Sequence, residues 1–158
     1  MVGSGTFGKK GLMGIGYICK PDIKLAITVW DGLITWDYWR KHLEKLFSDP
    51  DYASMQLQIT DLRNSSIGPT ITDEEIKVMT DLLDSQRQKV SMKKVAMVAG
   101  DEWNKPRLAE FALHAISINA IVFNDLETAC IWLGINIKEV TQDIHQIRLK
   151  LQQRSLPE

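Results

Sequence analysis

The stretch from Lys94 to Ile135 leaves the fewest folds open. It begins with an apolar, β-prone run, Val95 to Ala99, that stops at Gly100-Asp101. Leu108, Phe111, Ala112, Ala115 and Ile116 then recur at i, i+3, i+4, i+7 and i+8, which is one face of a helix. A second apolar run, Ala120 to Phe123, follows, and after it a short helical segment. Strand, helix and strand at this spacing form a βαβ unit, the crossover that a parallel pair requires. Neither strand alternates polar with apolar residues, so the sheet is expected to be covered on both faces.

The chain upstream supplies more of the same sheet. Tyr17 to Lys20 and Leu25 to Trp30 read as two strands joined as a hairpin through Pro21-Asp22, with Asp31-Gly32 ending the second. Trp36, Trp39, Leu43, Leu46 and Phe47 form the apolar stripe of a helix that Asp49-Pro50-Asp51 breaks. Met55 to Leu62 is the next strand, and the turn-rich DLRNSSIGPTIT is expected to be a loop. Thr72 and Glu75 make a capping box, and Ile71 with Ile76 a hydrophobic staple, for a helix burying Ile76, Met79, Leu82 and Leu83. Asn124 with Glu127 suggests an N-cap, and Gly134 a C-cap, for a short helix that puts Ala129, Trp132 and Leu133 on the core. The expected fold is therefore α/β: a single domain with a mixed, mostly parallel five-stranded sheet, helices packed on its faces, and a C-terminal amphipathic helix.

Composition excludes several classes. A chain of 158 residues, 44% hydrophobic and 25% charged, suits one globular domain. A formal net charge of -1 lacks the basic excess of a nucleic-acid binder. Cys19 and Cys130 share no metal-ligand spacing and form no disulfide framework, so a reducing cytoplasm is expected. His42, His114 and His145 fall on three different expected helices without ligand spacing, and no metal or cofactor is expected. No run approaches the roughly 20 apolar residues of a membrane span. Residues 1–16 hold six of the ten glycines and read as a flexible lead. Gly3, Gly5 and Gly8 fit G-x-G-x-x-G, but no strand precedes them.

The order of elements, with WDGLITWDYW early, VAMVAGDEW in the middle and VFNDLETACIWLGI late, resembles the SpoIIAA-like family, which belongs with the STAS and Sec14-like domains. The late phrase, from Val122 through Trp132-Leu133, carries most of the likeness, which spans residues 17–134. Residues 135–158 lie outside it. The resemblance implies a non-enzymatic module that binds proteins, nucleotides or apolar ligands. The serine phosphorylated in the family's sigma-factor antagonists follows an Asp at a helix start. Here the comparable NSSIGPTITDEE has Ser65 and Ser66 without that Asp, and its acids would repel a phosphate.

Ligands of α/β sheets gather outside the carboxyl ends of parallel strands. There the chain offers Arg63, Asn64, Ser65, Ser66, Asp101 and Trp103. Arg63 can clamp a carboxylate or phosphate, and Trp103 provides an apolar wall. The expected ligand is small and anionic or apolar, or else a protein partner. The competing readings are a small enzyme using this crevice near Arg63 and Asp101, and a structural dimerisation module. The latter rests on the tail, where Ile137, Val140, Ile144, Ile147 and Leu151 recur in steps of three and four, as in a coiled coil. That seam is expected to build a homodimer, with folding back on the sheet as its rival.

Overall fold

A computed structural model describes residues 14–67, 72–86, 89–101, 103 and 119–155. The helix expected from Leu108 to Ile116, the staple residue Ile71 and the start of the glycine-rich lead lie outside these residues.

Five strands form one sheet in the order β1-β2-β3-β4-β5. They are β1 (Gly14–Lys20), β2 (Leu25–Ile34), β3 (Leu57–Ile67), β4 (Lys94–Val98) and β5 (Asn119–Phe123). β1 is antiparallel to β2, and the other neighbours are parallel. α1 (Trp36–Phe47) and α2 (Pro50–Ala53) stand between β2 and β3, α3 (Asp73–Gln86) between β3 and β4, and α4 (Leu126–Leu133) and α5 (Ile137–Ser155) follow β5. The mixed, mostly parallel α/β sheet is thus present as expected.

The hairpin turns at Pro21–Lys24, with Lys24 at φ 57. The helix caps are made as local sequence dictates. Thr72 Oγ1 accepts from Glu75 N–H at 3.2 Å while Glu75 accepts from Thr72 N–H at 2.9 Å, closing the capping box. Gly134 takes the left-handed cap at φ 72. The N-cap of α4 is Asp125, not Asn124: its carboxylate accepts from Thr128 N–H at 2.7 Å.

Both faces of the sheet are buried. Ala26, Trp30, Leu62, Val95 and Met97 face Trp39, Leu43, Tyr52 and Met79 of α1, α2 and α3. Leu25, Ile27, Val29, Ile59, Ala96 and Val98 face Ala129, Cys130 and Leu133 of α4 and Val140, Ile144, Ile147 and Leu151 of α5.

Four further expectations are corrected. First, the tail is part of the domain. Val140, Ile144, Ile147 and Leu151 are 2–4% exposed against β1 and β2, and Ile137 is half-buried beside them. The seam expected to make a dimer is occupied by the chain's own sheet, whose second face needed a cover. Second, β1 begins at Gly14, inside the expected lead. A Cβ on Gly16 would come 2.8 Å from Ile147 Cγ2, so the glycine lets α5 lie close to the strand. Third, β2 and β3 continue past Asp31 and Leu62 to Ile34 and Ile67. Turn-forming residue types gave way to sheet pairing, with Gly32 at φ 81 and one extra residue on β3. Fourth, Trp132 is half-buried: it packs on Phe123 at 5.7 Å, and the ammonium of Lys94 stands 5.0 Å over its ring.

Candidate functional site

Where the crevice was expected, around Asp61 to Ser66 and Trp103, the polar groups are turned on one another. Val29 is opposite Asp61 and Asp31 opposite Asn64, so Leu62 and Arg63 together face the single residue Trp30. This bulge shifts the alternation of the strand. Ser65 becomes buried, and its hydroxyl donates to the Leu62 carbonyl at 2.9 Å. Trp103 Nε1 donates to the same carbonyl at 3.1 Å, and its ring meets Trp30 edge-on at 5.9 Å. Trp30 in turn meets Trp39 at 5.8 Å. Trp103 is therefore a member of an indole cluster over the bulge, not an open wall. Asn64 and Asp101 are exposed, and Ser66 is half-buried.

Arg63 is engaged as well. Its Nε lies 2.9 Å from Asp61 Oδ1 and its Nη2 2.9 Å from Oδ2, a bidentate clamp closed on its own chain. Its backbone N–H adds a third bond to Oδ1 at 3.1 Å. Arg148 of α5 brings Nη2 to within 2.9 Å of Asp61 Oδ2. Asp61 has no exposed surface. Burial pushes its carboxyl upward, but the Arg63 hydrogen bonds and the Arg148 charge outweigh burial and hold it below the ordinary carboxylate range. Asp31 lies next to this group and behaves in the opposite way: burial raises its carboxyl, Arg148 partly offsets that, and Asp61 adds to it. Among the described residues the buried Nε of Arg148 has no hydrogen-bond partner.

Arg148 and Asp31 were not among the expected site residues. A signal for them was present. Period-two alternation from Leu57 and Ile59 sends Asp61 into the same covered face, and a buried carboxylate demands a cation. Arg148 lies one turn beyond Ile144, at the margin of the apolar stripe of α5.

A second concavity, formed where the β1 edge meets α1, was not anticipated. It is a cleft of about 400 Å³ lined by residues of β1, α1 and the last turn of α5. His42 lies buried beneath it, 6.0 Å from the Tyr17 ring. Burial, reinforced by the charge of Lys45, lowers its imidazole to about 4, so it is neutral at pH 7. No group of His, Cys, Asp or Glu suited to a metal ion occurs among the described residues. No helix among them is long and apolar enough to cross a membrane.

No family model and no curated protein matches the chain. A similar solved structure is an uncharacterized protein of the DUF3478 family, with a SpoIIAA-like fold, from Shewanella loihica PV-4. The likeness has a TM-score of 0.53 at 14% identity and covers 77% of this chain and 94% of that one. The fold is SpoIIAA-like.

Proposed function

We propose that the chain is a non-enzymatic binding or regulatory module of the SpoIIAA-like type. One observation carries this reading. The charges at the carboxyl ends of the strands, where α/β enzymes place their chemistry, are paired as Asp61 beneath Arg63 and Arg148. A carboxylate held ionised by two guanidiniums is a poor proton acceptor, and guanidiniums already bonded to it have less to offer a substrate. Cys130, the nearby thiol, is buried, and burial raises its pKa against the opposing influence of Arg63. Calorimetric titration of the full chain with organic phosphates and carboxylates tests the reading. Saturable heats with the ligand recovered unchanged are expected; sustained heat with altered ligand contradicts it.

A small enzyme using the crevice is the second reading, and one observation favours it. Asp31 and Asp61 are neighbouring carboxyls pushed in opposite directions, the pattern of an acid paired with an ionised partner. Under that reading a turnover found in the screen is abolished by Asp31→Asn in a protein that stays folded.

A further inference from the structure

The cleft beside β1 differs in charge from the rest of the molecule. Tyr38, Lys41 and Lys45 occupy i, i+3 and i+7 on α1, a single helical stripe, and α5 adds Arg154. Three cations line the cleft against one lining carboxylate, Asp37, with Asp49 behind Tyr17, in a chain whose formal net charge is -1. Asp37 is paired with Lys41 at 3.0 Å. Lys45 stands 6.0 Å from the Tyr17 ring centroid, and its charge acts on Asp49, the carboxylate that accepts from the Tyr17 hydroxyl.

The β1 side of the cleft is apolar. It consists of Gly16, the buried Ile15 and the Tyr17 ring, which is fixed because its hydroxyl donates to Asp49 Oδ2 at 2.5 Å. Cations of one sign above a low-dielectric wall raise the local concentration of anions.

We infer that this cleft binds a small organic anion. Its phosphate or carboxylate is held by Lys45 and Arg154, and its apolar body lies on the Tyr17 ring. The inference deepens the binding-module reading and rests on it. Arg154 supplies the planar fork for two oxygens of the anionic group, and Lys45 acts as a point charge. Both cations are exposed, so the ligand can reach them without unfolding any element.

Titration of the full chain with phenyl phosphate, followed by amide NMR of the protein and phosphorus NMR of the ester, tests it. Saturable shifts are expected at Ile15–Tyr17 and Tyr38–Lys45, weakening with added salt. Affinity is expected to fall roughly tenfold or more in the pair Lys45→Glu with Arg154→Glu. The milder pair Lys45→Gln with Arg154→Gln keeps the readout if charge reversal disturbs the fold, and a loss in the same direction is expected. An absence of saturable shifts, shifts mapping elsewhere, or unchanged affinity in the folded variants overturns the cleft, with the ester intact throughout. Hydrolysis of the ester overturns the binding-module reading instead, and the inference falls with it.

Discussion

Arg148 Nη2 lies 2.9 Å from Asp61 Oδ2, an ion pair that ties the last helix to the middle strand of the sheet across 87 positions of sequence. The carboxylate has no exposed surface, and the Arg148 side chain is only 17% exposed. Such a pair adds little over an apolar isostere, but removing one member leaves a buried charge and is costly. Its effect is to fix where α5 sits. The pair therefore belongs to the architecture, and the same carboxylate also holds the guanidinium of Arg63.

Because α5 covers its own sheet, a charge in its seam should unfold the domain instead of splitting an oligomer. Ile144 is 2% exposed. Ile144→Lys is expected to cost about 3–5 kcal/mol, from lost burial and the desolvated ammonium. Denaturant unfolding with light scattering measures both outcomes. A stable variant that has merely halved its mass would show the seam to be intermolecular.

Gly16 tests how closely α5 lies on β1. A methyl added there meets Ile147 Cγ2 at 2.8 Å, inside normal contact. Gly16→Ala is expected to lower stability by about 1–2 kcal/mol, overpacking outweighing the entropy gained from replacing glycine. Gly14→Ala, meeting Tyr38 and Leu151 at 3.0 and 3.1 Å, should cost less. A Gly16→Ala protein as stable as the parent in urea refutes this packing.

His42 makes stability depend on pH. Its imidazole, lowered to about 4 by burial first and Lys45 second, is neutral in the fold and protonates near 6.5 once unfolded. The stability this contributes is fully present above about pH 6.5 and is lost as pH falls toward 4, in all about 3 kcal/mol. His42→Leu should remove that slope. Unfolding free energies measured across this window check it, and an unchanged slope in the variant excludes His42 as the cause.

The sequence disclosed the elements whose signals are local. Val95 to Ala99, the Thr72–Glu75 capping box and the Gly134 cap all appear where short-range pattern puts them. Signals that depend on tertiary contacts were misread. Asn64, Ser65 and Ser66 have turn chemistry, yet pairing with Asp31, Gly32 and Leu33 keeps them in β3. The heptad-like spacing of α5 specifies an apolar stripe but not what covers it. Arg63 stands inside β3 and not at its end, and Asp61, two residues earlier, occupies its guanidinium. The lysines of α1 form a visible stripe, whereas Arg154 joins them only once α5 has folded back.

A double-mutant cycle on Asp61 and Arg148, read by chemical denaturation, tests most directly whether the charges at the strand ends hold the fold. Asp61→Asn and Arg148→Met are each expected to cost about 3–5 kcal/mol, and the pair together clearly less than their sum. Strictly additive effects, or a single change that leaves stability intact, would contradict a structural role and return these residues to candidacy for chemistry.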